Sequence, residues 1–196
     1  MIERIAILGT GLLGASVGLA LRAAGFRGSI VGWNRGAAGA QTALAAGAID
    51  SIAADPLQAA RESQVALLAM PIYATLDYME KLAGVLGSDH LVTDVGSTKG
   101  QICLAASRLF NRPDRAAFLP GHPMAGKERG GAELADAELF RGTVWLFTDD
   151  PDCRRSPHSA ELVKACKQRL AAFRGTMERA DDETLLAIQY APAAGS

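Results

Sequence analysis

The stretch AILGTGLLG, residues 6–14, carries Gly9, Gly11 and Gly14 in the spacing GxGxxG. It ends a short β-branched run and opens an Ala/Leu-rich run, so the glycines lie at a strand-to-helix turn. There they permit a tight turn, a close approach of the backbone to a pyrophosphate, and close helix–sheet packing. Free amides at the helix start also favour an anion. The pattern predicts a dinucleotide-binding βαβ unit with contacts from Gly9, Gly11, Leu12, Leu13 and Gly14; the alternative is a glycine-rich turn in an Ala/Gly-rich chain.

Strand-like and helix-like segments alternate along most of the chain. Strands are predicted at 4–9, 29–33, 64–70, 90–95, 116–121, 143–147 and 175–180, and helices at 12–25, 37–47, 72–86 and 159–173. A solvated loop is expected at 149–159. The helix from residue 72 should face the core through Ile72, Leu76, Met79, Leu82 and Leu86, which recur at helical spacing. Such alternation predicts an α/β fold: a doubly wound, mainly parallel Rossmann-type sheet over residues 1–180.

Composition narrows the class of protein. The 196 residues are 49% hydrophobic with a net charge of −1, which allows a full core and gives no footing for nucleic acid or an anionic membrane. No signal peptide and no apolar run of about 20 residues is found, so a cytoplasmic protein is expected. The three cysteines, Cys103, Cys153 and Cys166, show no CxxC or Cys/His clustering, which predicts reduced thiols and no metal site.

The position of a ribose-binding acidic residue, about 20 residues after the glycine motif, holds Asn34 and is followed by Arg35. An amide can hydrogen-bond a ribose hydroxyl without repelling a 2′-phosphate. Arg35 could pair with that phosphate and stack on the adenine. The pair predicts NADP as cofactor. In the alternative, Arg35 is an ordinary surface cation and NAD binds.

Two later clusters are candidates for the chemical half of a site. The first, VTDVGSTKGQI at 92–102, is a strand, a Gly-Ser-Thr-Lys turn and a helix start. The second, FLPGHPMAGKERGG at 118–131, holds His122 in a loop stiffened by two prolines. His122 is the better catalytic candidate, because His90 and His158 lie in polar contexts and are expected to be solvated. A structural role for His122 is the alternative.

The motifs GTGLLGASVGLAL, VTDVGSTKG, FLPGHPMAGKERGG and LFRGTVW, in this order, resemble the prephenate/arogenate (cyclohexadienyl) dehydrogenase family of tyrosine biosynthesis. The resemblance implies an oxidoreductase that oxidatively decarboxylates prephenate or arogenate with hydride transfer to NAD(P). It implies that His122 accepts the proton of the ring hydroxyl and that Ser97 orients His122 or the substrate and lies at the cofactor. Lys99 would lie near the substrate or only brace its turn, and Pro71 would flank the nicotinamide.

Members of that family carry a second, all-helical domain that makes a homodimer, closes the site and adds an arginine for a substrate carboxylate. Residues 181–196 resemble the first helix of such a domain. Where the family shows a Ser-His-Leu-Pro-His run, this sequence has Gln189, Tyr190, Ala191, Pro192 and Ala193. Two alternatives to an enzyme in its own right follow: an NADP-binding module without catalytic activity, or one half of a two-subunit enzyme.

Overall fold

The computed structural model describes residues 2–148 and, as backbone, residues 185–189. Its strands are β1 (Arg4–Leu8), β2 (Ser29–Trp33), β3 (Ser51–Ile52), β4 (Val65–Leu68), β5 (Leu91–Asp94), β6 (Ala117–Leu119), β7 (Gly121–Pro123), β8 (Val144–Thr148) and β9 (Leu185–Gln189). Its helices are α1 (Leu12–Ala23), α2 (Ala37–Ala45), α3 (Pro56–Arg61), α4 (Ile72–Ala83) and α5 (Gly100–Phe110), with a 3₁₀ turn at Ala132–Leu134.

The main sheet has six strands in the order β3-β2-β1-β4-β5-β6, and every neighbouring pair in it is parallel. The chain winds outward from β1 in one direction through β2 and β3, and then in the other through β4, β5 and β6. This confirms the predicted doubly wound α/β fold. In such sheets ligands bind outside the carboxyl ends of the strands, where the winding direction reverses.

Both faces of the sheet are buried. Each strand contributes to both faces, because its side chains alternate between them. On β1, Ala6 and Leu8 join the core cluster that contains α3, α4 and α5, whereas Ile5 and Ile7 join the cluster on the α1 and α2 side. Fully burying one such Leu or Ile side chain contributes about 1.5–3 kcal/mol. Packing on both faces holds the carboxyl edge of the sheet rigid, and this edge carries the candidate site.

The predicted apolar stripe is confirmed on α4 and in the turn that directly follows it. Met79, Leu82 and Leu86 are buried, while Ile72 and Leu76 are partly buried and pack against the same cluster. The stripe is therefore a core-facing surface, as its 3.6-residue spacing indicated.

A second, antiparallel sheet corrects two predictions. The strand expected at 143–147 forms as β8, but it does not continue the parallel series: it lies in a three-stranded sheet of order β7-β8-β9. The loop expected around His122 is instead the short strand β7, in which His122 is paired with Leu146. The reason is that β7 leaves the parallel sheet directly after β6 and satisfies its backbone groups on β8 instead.

The structure also differs from prediction near the end of the chain. In 181–196 a helix was expected, yet Leu185–Gln189 forms β9, which pairs antiparallel with β8 through five residues. Extended backbone there completes the hydrogen bonds of β8, which a helix could not do. The boundary at residue 180 stays a prediction. The loop at 149–159, the helix at 159–173, the strand at 175–180, His158, Cys153 and Cys166 lie outside the described residues. Across 2–148, no helix has the length and apolarity needed to cross a membrane.

Candidate functional site

The glycine loop between β1 and α1 depends on two glycines for its packing. Gly9 has a φ of +105°, its N–H donates to the Trp33 carbonyl at 2.8 Å, and a Cβ there would lie 2.3 Å from the Ala69 carbonyl oxygen. A Cβ on Gly14 would lie 2.0 Å from the Gly9 carbonyl oxygen. Both positions therefore exclude larger residues, and the loop is pressed against the ends of β2 and β4.

Gly11 differs, because a Cβ there would meet nothing within 4 Å. Gly11 is the N-cap of α1, no side chain caps the helix, and its first turn has no acidic residue. The first amides of α1 thus have no side-chain cap and the helix dipole lies behind them, an arrangement that suits a pyrophosphate. Leu12 is buried and Leu13 is partly buried against the sheet, so only their backbone amides are suited to contact a cofactor.

Asn34 and Arg35 follow β2, next to the strand residue that holds the glycine loop. The Asn34 amide donates to the Gly36 carbonyl at 3.2 Å. Arg35 is exposed, and across residues 2–148 it makes neither an ion pair nor a hydrogen bond. A cation without a partner therefore stands beside the site where the outer ribose of a dinucleotide would lie.

Pro71 lies at the corresponding end of β4. It is exposed and forms the N-cap of α4, and no side chain caps that helix. Because β1 and β4 are parallel neighbours, the turn after β4 opens at the same edge as the glycine loop.

Asp94, at the end of β5, is a buried carboxylate that the sequence reading did not single out. Its side chain is 0% exposed and forms an ion pair with Lys99, which is itself 19% exposed. Burial raises the pKa of Asp94 above its usual range, and the charge and hydrogen bond of Lys99 oppose this rise. Lys99 therefore ties its turn to the end of β5, and a position near the substrate stays a prediction. The sequence signal that could have identified Asp94 is a carboxylate at the end of a strand, five residues before a lysine.

His122 is half-buried on β7, and β7 lies against β5. Burial lowers the pKa of His122 below 6.5; the charge of Lys99 lowers it further, and that of Asp94 partly opposes this. The imidazole is therefore neutral at pH 7 and able to accept a proton. Ser97 is exposed in the turn before α5, and across residues 2–148 no hydrogen bond joins it to His122.

His90 is not the solvated residue that was expected. Its ring nitrogens lie 3.2 Å from the Gly87 carbonyl oxygen and 3.1 Å from that of Arg61. It precedes β5, at the amino edge of the sheet, so it is a structural residue remote from the candidate site. Across residues 2–148, no group of three or more His, Cys, Asp or Glu side chains could hold a metal ion.

Comparison with known proteins identifies the family of the chain. Residues 17–172 match the profile of the family described as "Prephenate dehydrogenase, nucleotide-binding domain". The chain is 34% identical over 163 residues to the prephenate dehydrogenase of Lactococcus lactis subsp. cremoris, covering 83% of this chain and 44% of that protein. The chain thus spans less than half the length of that curated relative.

Two solved structures are similar as well. Prephenate dehydrogenase from A. aeolicus, in complex with hydroxyphenyl propionate and NAD+, is 27% identical with a TM-score of 0.73, covering 86% of this chain and 57% of that one. Synechocystis arogenate dehydrogenase is 28% identical with a TM-score of 0.71, covering 85% and 56%.

Proposed function

The chain belongs to the prephenate dehydrogenase family through its nucleotide-binding domain, and from this premise we propose that it carries the cofactor-binding half of a cyclohexadienyl dehydrogenase. The proposed reaction is the oxidative decarboxylation of prephenate or arogenate, in which NAD(P) takes up a hydride. The longer protein would act as a homodimer. A module without catalytic activity, or half of a two-subunit enzyme, gains no support from relatives that are named dehydrogenases.

One observation carries the proposal: the glycine loop and His122 lie at the same edge of the molecule. Gly9 follows β1, Pro71 lies beyond the end of β4, and Asp94 ends β5, and these three strands are parallel neighbours. The Gly121 N–H donates to the Asp94 carboxylate at 3.1 Å, which brings His122 to this edge. A cofactor held at the glycine loop and extended across the switch point would reach the histidine.

The cofactor site fits a dinucleotide on its own geometry. The open space at Gly11 and the uncapped start of α1 would hold the pyrophosphate, and the turn after β4 would flank the nicotinamide. When bound, the oxidised nicotinamide supplies the acceptor for the hydride that leaves the substrate carbon bearing the hydroxyl.

Residues of this chain would accept the proton that the substrate hydroxyl loses. In the proposed role, His122 takes the hydroxyl proton as the carbonyl forms, which typically contributes about 10²–10⁴-fold in rate. The ring carboxylate then leaves as CO₂, its bonding electrons make the ring aromatic, and the phenolate oxygen recovers a proton. Ser97, exposed in the neighbouring turn, would orient the substrate hydroxyl. Burial and, to a smaller extent, the charge of Lys99 would keep His122 neutral by lowering its pKa.

We propose NADP in preference to NAD. The residue after β2 is an uncharged amide, and the next is an exposed cation without a partner in the described part of the chain. A 2′-phosphate would meet no carboxylate there and could pair with Arg35.

Steady-state oxidation of prephenate and of arogenate, with each cofactor, tests the proposed function. The assay uses the longest natural protein that contains this domain, with this chain assayed beside it. Formation of the reduced cofactor together with CO₂ from either substrate is the expected result. A protein that binds a dinucleotide yet oxidises neither substrate would overturn the proposal.

A further inference from the structure

The carboxylate of Asp94 accepts three hydrogen bonds although it is fully buried. Its Oδ2 accepts from the Gly96 N–H at 2.8 Å and from the ammonium of Lys99, and its Oδ1 accepts from the Gly121 N–H at 3.1 Å. The Gly121 bond joins residues 27 positions apart in the chain. One side chain therefore ties the turn before α5 to the first residue of β7.

The two amides held in this way each precede a residue of the proposed site. Gly96 is followed by Ser97, and Gly121 is followed by His122. The approach at Gly121 is so close that a Cβ there would lie 2.6 Å from the Asp94 carbonyl oxygen. The turn that carries Ser97 and the strand that carries His122 are therefore both fixed to the end of β5.

We infer that Asp94 is the positioning residue of the site, and that Lys99 is its counter-ion: the carboxylate fixes the backbone beside Ser97 and His122 so that both face one substrate. The inference rests on the proposed function for its catalytic consequence. Its geometric content, one carboxylate that holds two distant amides, can be tested without any substrate.

An amide cannot replace this carboxylate. Both oxygens of Asp94 accept hydrogen bonds, whereas an asparagine offers one acceptor oxygen and an NH₂ group that would face another donor. Asp94→Asn should therefore release one of the two amides. A displacement of about 1 Å at a reacting group can cost about 10²-fold in rate, so a kcat loss of about 10- to 100-fold is expected.

The pair also sets the charge around His122. Lys99 lies in the turn and Asp94 on β5, while β8, which pairs with β7, has no ionisable side chain. Since the Lys99 charge has a larger effect on His122 than the opposing Asp94 charge, Lys99→Gln should move the acid limb of the pH–rate profile to higher pH. Lys99→Arg keeps the cation and should leave the limb near its wild-type position. A role confined to folding would leave the limb in place in both variants.

Hydrogen exchange on the full chain tests directly whether the Asp94 carboxylate holds the amides of Gly96 and Gly121. In Asp94→Asn, the Gly96 or the Gly121 amide should exchange at least about tenfold faster than in the wild type, because the lost acceptor held it closed. The matched control is Asp50→Asn, since Asp50 also bridges a cation, Arg22, and a backbone amide, that of Ile30 at 2.6 Å. It lies near the start of β2, and neither site amide should respond to its replacement.

A second experiment measures kcat and cofactor affinity separately, for wild type and Asp94→Asn, in the longest natural protein that contains this domain. Asp94→Asn should lower kcat and leave cofactor dissociation within about twofold of wild type, because the glycine loop is untouched. Unchanged exchange at both amides, or an equal loss of kcat and cofactor affinity, would overturn the inference. If Asp94→Asn does not fold, the pH–rate profile of Lys99→Gln tests the inference instead. An acid limb at the wild-type pH would contradict the proposed effect of the Asp94–Lys99 pair on His122. An inactive wild-type protein would overturn the proposed function, whereas the exchange rates would still show whether Asp94 holds the two amides.

Discussion

At the scale of single residues, the surroundings of His122 decide which chemistry it can perform. An exposed histidine is partly protonated near neutral pH, whereas this one is half-buried beside a lysine. Both effects disfavour the imidazolium form, so the pKa is lowered and the ring stays neutral at pH 7. A neutral imidazole is the form that can accept a proton from a hydroxyl group.

Replacement of His122 by Asn should lower kcat by about 10²-fold or more. The amide keeps a hydrogen-bonding group near the substrate hydroxyl, but it cannot accept a proton at neutral pH. Cofactor affinity should change little, because the glycine loop lies on other elements. Steady-state kinetics across pH measure both quantities, and the acid limb should vanish in the variant. Normal turnover by an otherwise active His122→Asn protein would rule out the proposed role, and Ser97→Ala should be the milder change.

The lowered pKa of His122 also predicts how stability depends on pH. In the window between the folded pKa and about 6.5, the unfolded state binds more protons than the native state, so stability rises with pH there. The contribution is complete above about pH 6.5 and is lost as pH falls through the folded pKa. Denaturant unfolding between pH 5 and pH 7.5 measures this slope. In His122→Asn the slope should become shallower, and an identical slope would contradict the assignment.

Arg35 should decide the choice between the two dinucleotides. A charge-assisted contact with a 2′-phosphate is worth roughly 1.5–3 kcal/mol, which corresponds to about a ten- to hundredfold preference for NADP. Titration calorimetry of both cofactors against wild type and Arg35→Ala measures it. The variant should lose the preference and bind NAD almost as before. Wild-type binding of NAD that equals or exceeds that of NADP would refute the prediction.

At the scale of elements, the turn between β1 and α1 assigns different tasks to glycines that look alike in the sequence. Gly14 is needed for folding, since a Cβ there would overlap the Gly9 carbonyl. Gly11 is not, because its φ of −77° suits any residue and a Cβ there meets only open space. The open space is where an anion would approach the helix start.

Gly11→Ala and Gly14→Ala should therefore separate binding from stability. Gly14→Ala should destabilise the fold by about 3 kcal/mol, because backbone must move to relieve the overlap. Gly11→Ala should fold with wild-type stability and lose at least about tenfold in cofactor affinity, since its methyl group occupies the approach to the helix. Chemical denaturation and calorimetry on both variants check this. Full affinity in Gly11→Ala would show that the cofactor does not approach at this point.

At the scale of the whole molecule, the site depends on a sheet that is packed on both faces. Core residues from β1 and β4 alternate between the two clusters and hold the carboxyl edge in place. The loop that follows β7 is tied back to α1, where the Ser16 hydroxyl accepts the Asp136 N–H at 3.0 Å. A ligand at this edge should therefore stabilise the domain as a unit.

Cofactor binding should raise the melting temperature. At a ligand concentration 100 times the dissociation constant, binding adds about 2.7 kcal/mol to stability. For a domain of this size that corresponds to about 5–10 °C. Differential scanning calorimetry with NADP, NAD and no cofactor measures the shift, and Gly11→Ala serves as a folded control in which it should be small. Equal melting temperatures with and without saturating cofactor would argue against a dinucleotide site.

Much of the fold was readable from local sequence pattern. The strand at 29–33, the alternation that builds the main sheet, and the core-facing side of α4 all follow from side-chain periodicity, which the structure confirms. The short elements β3 and α3 went unpredicted, since two exposed strand residues and six helical residues carry too little periodicity to be recognised. The positions of Asn34, Arg35, Pro71 and Ser97 after strands of the main sheet were likewise foreseeable, because parallel strands end at one edge.

The sequence by itself determined the glycine loop, the parallel sheet and the family, because each is recognised from patterns within short stretches of the chain. Only the tertiary structure decided that His122 lies on an antiparallel strand and that Asp94 reaches the amide of Gly121. It also decided that Lys99 pairs with Asp94 and helps to keep His122 neutral. The reason is physical: burial and long-range hydrogen bonds depend on where the chain returns in space, and no local periodicity encodes that return.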